Sequence, residues 1–205
     1  MSEPIYLLYL VRGYREAYYQ LSDEGRAQFW KRIDENITVS GETNLLTCNS
    51  RWCNEAYLAW GLGEFPDLQA VWKSTQTNED NQHFRYLATE SVLGMKMGDD
   101  PIDTVDFPDP IYQLWMVKNP GTSVLDSLPA SEGDHLGSKV GESIQNHGGV
   151  SVIVCDCGWS NEEYSAFGIT AWPNLAAEQA HFKDLESLGW HRYLYAKTIL
   201  GTQIG

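Results

Sequence analysis

The sequence contains an internal duplication. The hexapeptide Trp52-Cys-Asn-Glu-Ala-Tyr57 returns 107 positions later as Trp159-Ser-Asn-Glu-Glu-Tyr164. The same offset holds without a gap from residue 41 to residue 98, and it places Gly41 on Gly148. Self-similarity at one fixed offset predicts two copies of a single supersecondary unit, and this restricts the possible folds more than composition does.

The duplication divides the chain into two repeats and a linker. We predict that the first repeat spans residues 1–98 and the second residues 110–205. Between them, residues 99–109 are rich in aspartate and proline, which is typical of an extended, solvated segment.

Hydrophobic patterning predicts the order β-α-β-β-α-β in both repeats. Phe29, Ile33 and Ile37 recur at helical spacing, and Ser22 and Gly41 are typical residues for the two ends of that helix. The predicted strands are residues 6–12, 44–49, 57–62 and 91–96, then 112–118, 150–155, 165–170 and 193–200. The second helix of each repeat is predicted to begin at Pro66-Asp67 and at Pro173.

This order of elements is the split βαβ, or ferredoxin-like, unit, in which helices cover one face of a four-stranded antiparallel sheet. The first strand is apolar or aromatic on both faces, as the run from Tyr6 to Val11 shows. The face without helices therefore needs a cover. We predict an α+β protein of two tandem ferredoxin-like repeats, with their sheets packed face to face as a pseudo-dimeric α+β barrel.

The predicted arrangement resembles the dimeric α+β-barrel superfamily, in particular its single-chain tandem members. That superfamily includes antibiotic-biosynthesis monooxygenases, stress-responsive A/B-barrel proteins and small polyketide cyclases. The resemblance covers nearly the whole chain and rests on topology and duplication. It implies a ligand site between the sheet and the helices of one repeat, and related haem-containing members place their cofactor in a similar cleft.

Charge and cysteine content restrict the partners and the compartment. The chain has 14 basic and 28 acidic residues, for a net charge of −14, so nucleic acids and anionic membranes are repelled. No apolar run approaches the roughly 18 residues of a membrane span. Four cysteines are too few for a disulfide scaffold. We therefore expect a cytoplasmic monomer or homodimer.

The cysteines raise the question of a metal site. Cys155 and Cys157 point to one face of a predicted strand, and such a pair could hold zinc together with a histidine. The duplication argues against this, because Cys48 matches Cys155 as a core position whereas Cys157 falls on Ser50. We predict no metal.

Histidines are concentrated in the second repeat, which has four of the five. Histidine exchanges protons near neutral pH, and a duplicated fold needs only one working pocket. We therefore predict a functional cleft between the sheet and the helices of residues 110–205. The candidate catalytic residues are His147, His181 and His191, and a solvated or packed histidine is the alternative for each.

Aromatic and basic residues of the second repeat are candidates for substrate contacts: Tyr164, Trp172, Arg192 and Tyr193. The alternative is structural. Arg192 matches Arg85 and could bond the terminal carbonyls of a helix, and the aromatic rings could pack in the core.

Two functions follow from the resemblance. The first is a cofactor-independent enzyme of the cyclase, isomerase or monooxygenase type, acting in biosynthesis on a hydrophobic or aromatic small molecule. Its histidine would act as general acid or base, a tyrosine hydroxyl or an arginine would stabilise an enolate or phenolate, and tryptophans would hold the substrate. The alternative is a non-catalytic small-molecule or haem-binding module related to stress.

Overall fold

The computed structural model describes residues 3–98, 102–118 and 127–204. These residues form an α+β protein that divides into two compact units. The first unit contains the described residues up to Met95 together with Ile204, and the second runs from Lys96 to Gln203. Within the predicted linker, residues 99–101 lie outside the described residues, and the bounds of the linker stay a prediction.

The first unit has four strands, as predicted, and four helices, of which two are short. Its elements are β1 (Ile5–Tyr14), α1 (Glu16–Tyr19), α2 (Asp23–Ser40), β2 (Thr43–Asn49), β3 (Ala59–Phe65), α3 (Leu68–Asp80), α4 (His83–Tyr86) and β4 (Leu87–Lys96), whose last residue is the first of the second unit.

The second unit repeats this order over its described residues. Its elements are β5 (Ile111–Lys118), α5 (Ala130–Asn146), β6 (Val150–Asp156), β7 (Tyr164–Trp172), α6 (Leu175–Ser187), a 3₁₀ turn (Trp190–Arg192) and β8 (Ala196–Gln203).

Each unit contains one antiparallel sheet of four strands. The strand order is β4-β1-β3-β2 in the first unit and β8-β5-β7-β6 in the second. The registers also correspond, because Leu8 pairs with Leu62 and Leu114 pairs with Ile169. The predicted fold class, α+β with two ferredoxin-like repeats, is confirmed.

Matching caps begin the second long helix of each unit. The side chain of Asp67 accepts a hydrogen bond from the backbone N–H of Ala70 at 2.8 Å, and Asn174 accepts one from Ala177 at 3.0 Å. Such caps satisfy one of the free N–H groups of a first turn. Both helices therefore begin two residues after the proline, later than the sequence predicted.

The helices lie against one face of each sheet. In the first unit, Ile5 and Phe65 form a buried cluster with Val71 of α3. The opposite face carries side chains that are almost fully buried, such as Leu8 and Trp60. The face turned to the helices is the one on which the superfamily resemblance places a ligand.

Two strands begin later in the structure than the sequence predicted. β3 begins at Ala59 rather than at Tyr57, because the side chain of Asn54 accepts hydrogen bonds from the N–H groups of Ala56 and Tyr57 and keeps them in a turn. β8 begins at Ala196 rather than at residue 193. The reason is that α6 ends in a turn in which Gly189 has φ +66°, and the 3₁₀ turn follows it. No helix among the described residues is both long and apolar enough to span a membrane.

Candidate functional site

A hydrogen-bonded cluster joins α5 to α6 in the second unit. The hydroxyl Oγ of Ser143 lies 3.0 Å from Nδ1 of His181 and 2.7 Å from Oδ2 of Asp184. Nε2 of His147 lies 2.9 Å from the same carboxylate oxygen. One carboxylate therefore contacts one imidazole directly and the other through a serine.

The hydrogen bonds assign the protons in this cluster. The hydroxyl of Ser143 has one proton, which it donates to Asp184, so it accepts a hydrogen bond from Nδ1–H of His181. Nε2 of His181 then carries a lone pair. Hydrogen bonds from Ser143 and His147 lower the pKa of Asp184, so the group is a carboxylate that accepts a hydrogen bond from Nε2–H of His147.

Burial keeps His181 neutral. Its side chain is 4% exposed, and its ring centroid lies 4.9 Å from that of Trp172. Burial first, and the neighbouring His147 second, lower the pKa of His181 to about 4. At neutral pH this imidazole is therefore uncharged, and its free nitrogen can accept a proton or bind a metal ion.

A second set of hydrogen-bonded side chains, from the sheet and from α6, lies next to this cluster. The side-chain N–H of Gln113 donates to Oε1 of Glu178 at 3.2 Å, and Trp172 Nε1 donates to the amide oxygen of Gln113 at 3.1 Å. Burial raises the pKa of Glu178. Trp172 thus donates a hydrogen bond to Gln113 through its indole N–H, and its ring packs beside His181.

The first unit has no titratable groups at the corresponding positions. The 107-residue offset places His147, His181, Asp184 and Glu178 on Ser40, Ser74, Thr77 and Val71. There the side-chain N–H of Asn36 bonds Ser74 and Asn78 instead. The titratable groups are therefore a property of the second unit and not of the fold.

The glycines of α5 have open space beside them among the described residues. A Cβ added at Gly133, Gly137 or Gly141 would meet nothing within 4 Å. Leu136 and Val140, in the same stretch of the helix, are only half-buried. On the sheet, Gln113, Trp115 and Val117 are two residues apart along β5, so they share the face turned to the helices. Trp115 and Val117 are also half-buried. We call the region bounded by these described residues the α5 cleft, and the histidine cluster lies at the C-terminal end of α5.

The first unit fills the corresponding region with aromatic rings. Phe29, at the position of Leu136, is 1% exposed and packs with Tyr18 and Tyr86. Trp30 stands where the second unit has Gly137, and its Nε1 donates to the hydroxyl of Tyr18 at 3.0 Å. The second-unit segment that follows β5, residues 119–126, lies outside the described residues.

The structure brings three of the seven predicted site residues together: His147, His181 and Trp172. His191 is exposed and lies beside Phe182, with ring centroids 5.2 Å apart. The catalytic and binding roles of all seven predicted residues stay predictions.

The other predicted contact residues lie elsewhere. Arg192, which is exposed, and Tyr193 follow Gly189 at the 3₁₀ turn. Tyr164 is buried at the start of β7, where its backbone N–H bonds the side chain of Asn161. The sequence reasoning missed Ser143, Gln113 and Glu178.

The cysteines lie apart from this cluster. Cys155 and Cys157 are buried free thiols, and Cys157 donates to the carbonyl of Tyr164. Across the described ranges, no three His, Cys, Asp or Glu side chains are arranged to hold a metal ion.

Comparison with solved structures identifies proteins of the same fold. A variant of chlorite dismutase from Candidatus Nitrospira defluvii, in which one arginine is replaced by lysine, matches with a TM-score of 0.80 and 9% identity, over 100% of this chain and 93% of that one. The imidazole complex of that enzyme matches with a TM-score of 0.78 and 9% identity, over 98% and 91%. A candidate chlorite dismutase matches with a TM-score of 0.71 and 13% identity, over 98% and 95%.

Sequence comparison gives no corresponding family. No family model matches the chain, and no curated protein is significantly similar to it. At these identities, the likeness to chlorite dismutases shows the fold. The finer resemblance to antibiotic-biosynthesis monooxygenases is not confirmed.

The expectation of a protein without a cofactor is wrong on this comparison. The solved structures reported above are of chlorite dismutases, which are haem-dependent. The hypothesis of a cofactor-independent enzyme is likewise not supported, and the alternative of a haem-binding module agrees better with the fold.

Proposed function

We propose that the protein binds haem in the α5 cleft of its second unit, as the hydrophobic small molecule that the sequence led us to expect. The observation that carries the proposal is the His147–Asp184 pair, at the end of a helix whose glycines have open space beside them among the described residues. The likeness to haem-dependent chlorite dismutases supports the same ligand.

The residues of the cleft fit this group. A haem site needs apolar room for the macrocycle and an imidazole for the iron. The half-buried Leu136, Val140 and Trp115 and the space beside the glycines of α5 supply the room. The side chain of His147 is 28% exposed, so it is accessible to a ligand, unlike the packed ring of His181.

Asp184 orients the proposed iron ligand. Metal-binding histidines commonly donate their second ring N–H to a carboxylate, which fixes the ring and increases its basicity. Nε2–H of His147 makes this bond, and Nδ1 has no hydrogen-bond partner among the described residues. We therefore assign His147 as the iron ligand, Asp184 as its positioning residue and His181 with Trp172 as a wall of the site. Haem bound there would supply the redox and ligand-binding chemistry of its iron.

The experiment is a titration of the purified protein with hemin, followed by the Soret absorption. We expect saturation at one haem per chain, and at least tenfold weaker binding with a shifted Soret band for His147→Ala. His135→Ala and His191→Ala are matched controls, because both histidines are exposed, and both variants should bind as the wild type does.

Two outcomes contradict the proposal. Absence of saturable binding in the wild type would exclude haem as the ligand. A His147→Ala variant with an unchanged spectrum and affinity would exclude His147 as the iron ligand. The cytoplasmic location and the monomeric or homodimeric state stay predictions, which fractionation and size-exclusion chromatography test.

A further inference from the structure

One serine hydroxyl connects the two histidines of the second unit. Ser143 of α5 is 4% exposed, and its Oγ lies 2.7 Å from Oδ2 of Asp184 and 3.0 Å from Nδ1 of His181. Both neighbours belong to α6. The hydroxyl has a single proton, so it donates to one of the two and accepts from the other.

The hydroxyl proton goes to the carboxylate. An ionised carboxylate only accepts hydrogen bonds, whereas a neutral imidazole can donate from either ring nitrogen, depending on its tautomer. Hydrogen bonds to a charged acceptor are also about twice as strong as neutral ones. Ser143 therefore donates to Asp184, and Nδ1–H of His181 donates to Oγ of Ser143.

The same carboxylate oxygen receives a second donor. Oδ2 of Asp184 accepts the hydroxyl of Ser143 and also Nε2–H of His147, at 2.9 Å. Oδ1 of Asp184 has no hydrogen-bond partner among the described residues. The negative charge on one oxygen is therefore divided between two donors. The bond from Ser143 takes up part of that charge, so the bond to His147 is weaker than it would be if the carboxylate had no other donor.

The two donors differ in their contact with water. Ser143 is almost fully buried, whereas the side chains of His147 and Asp184 are 28% and 47% exposed. Water can compete for the bond of His147 to the carboxylate, but the hydroxyl of Ser143 is shielded from it. The serine bond is therefore the fixed part of the arrangement, held in place by the packing of α5 on α6.

The first unit shows how the same two helices are joined without charged groups. The offset places Asn36 at the position of Ser143. Its amide N–H group donates to Oγ of Ser74 and to Oδ1 of Asn78. A polar bridge between the two long helices thus needs neither a carboxylate nor an imidazole. Helix packing alone does not explain why Ser143 donates to the carboxylate that also holds His147.

We propose that Ser143 is a positioning residue that sets how strongly His147 binds the iron of a haem. This inference deepens the proposed haem site and rests on the assignment of His147 as the iron ligand. A carboxylate that accepts the second ring N–H of a metal-binding histidine makes that histidine more basic. Ser143 limits this effect because it holds part of the charge of Asp184, and His181 keeps the hydroxyl turned to the carboxylate.

The first measurement needs no haem. In the haem-free protein at pH 8, long-range ¹H–¹⁵N correlation spectra report Nε2 of His147, whose resonance moves downfield as its hydrogen bond to the carboxylate strengthens. We expect a downfield shift in Ser143→Ala, because Asp184 then has one donor fewer. Ser187→Ala is the matched control. It removes an exposed hydroxyl from α6, where the serine bonds the backbone of Lys183, and it should leave the resonance unchanged.

The second measurement is the reduction potential of the haem complex, followed by the Soret band in a spectroelectrochemical titration. Hydrogen bonding to the axial ligand is one of the factors that set this potential, and a more basic ligand favours ferric over ferrous iron. We therefore expect Ser143→Ala to lower the potential by about 30–60 mV, a three- to tenfold change in the one-electron equilibrium constant. Ser143→Thr, which keeps the hydroxyl, should return both readouts toward the wild type, and Ser187→Ala should change neither.

The outcomes separate this inference from the haem site itself. An unchanged Nε2 resonance of His147 in a folded Ser143→Ala variant overturns the inference, and so does an unchanged or raised potential. A proton on Nε2 of His181 instead of Nδ1, read from the same spectra, also overturns it, because Ser143 would then donate to His181. If the wild type binds no haem but the resonance shifts as expected, the haem site is wrong, whereas the control of the His147–Asp184 bond by Ser143 is supported.

Discussion

The two units differ most where their helices meet their sheets. In the first unit this contact is made by rings and aliphatic side chains, with Phe29 and Phe65 fully buried. In the second unit Leu136, at the position of Phe29, is only half-buried, and titratable side chains take part in polar contacts, as in the bond of Gln113 on the sheet to Glu178 on α6 and in those of Ser143 on α5 to His181 and Asp184 on α6. The strand order and the helix caps are the same in both. The scaffold is therefore set by backbone pairing and capping, and its interior can be exchanged for polar groups.

The exchange is tolerated because the polar groups satisfy one another. A buried polar group with a lost partner costs about 1–3 kcal/mol, and in the second unit His181, Asp184 and Glu178 all have hydrogen-bond partners. Among the described residues, the second unit has less apolar packing beside α5. It has the features of a site, whereas the first unit has those of a packed core, apart from the half-buried carboxyl group of Glu42.

The largest effect should come from removing packing in the two units at matched positions. Phe29→Ala should lower the free energy of unfolding by about 3–5 kcal/mol, because a large cavity replaces a fully buried ring. Leu136→Ala, at the same place in the second unit, should cost about 1 kcal/mol, since Leu136 is half-buried. Urea denaturation measures both, and equal losses would break the comparison.

Glu42→Gln should stabilise the protein at neutral and alkaline pH. The pKa of Glu42 is raised to about 7 in the folded chain, so its ionisation costs stability that is intact below the unfolded value of 4.5 and is lost as pH rises through 7. We expect a gain of about 2 kcal/mol above pH 7 and none below pH 4.5. Denaturation of the wild type and the variant between pH 4 and 8 measures this gain, and a gain of the same size at pH 4 and pH 8 would contradict the prediction.

His181→Gln should flatten the acid side of the stability profile. Its pKa is lowered to about 4, so the stability of the folded state is present above pH 6.5 and falls as pH drops toward 4. The variant should remove this loss, which is about 1–2 kcal/mol at pH 4 once solvent screening is allowed for. An unchanged acid slope would show that His181 is not the buried neutral group. His191→Gln is the exposed control.

Gly137→Ala should give the smallest effect, a gain of about 0.5–1 kcal/mol, because alanine favours the helix and the new methyl group meets nothing within 4 Å. Gly141→Ala should have the same sign. Thermal unfolding measures both variants, and destabilisation by either would mean that the space beside α5 is filled.

Much of the fold could be predicted from the duplication. Ser22 does cap α2, where it accepts a hydrogen bond from Gly25, and Gly41 ends that helix with φ +74°. These are local signals, and two diverged copies confirm each other. Bounds that depend on turns, such as the start of β8, could not be predicted, because the 3₁₀ turn after Gly189 has no distinct hydrophobic period.

The site was predicted only in part. His181 and Asp184 could be placed on one stripe of α6 by their spacing of three. Ser143 could not, because a serine inside a helix carries no sequence signal until its partners are known. One comparison could have found it: the offset matches it to Asn36, a polar residue on the inner side of α2. Gln113 lies in an apolar strand. Its buried amide is explained only by the hydrogen bond that it accepts from the indole N–H of Trp172, which the sequence does not reveal.

The glycines of α5 also affect local opening of the chain. Each glycine inside a helix costs about 1 kcal/mol relative to alanine, and α5 contains three of them whereas α2 contains one, Gly25, in its first turn. α5 should therefore unfold locally more often than α2, and its backbone amide protons should exchange faster with deuterated water. A ligand that fills the cleft would slow this exchange. The exchange rate of the α5 amides would then report occupancy of the cleft, even for a colourless ligand.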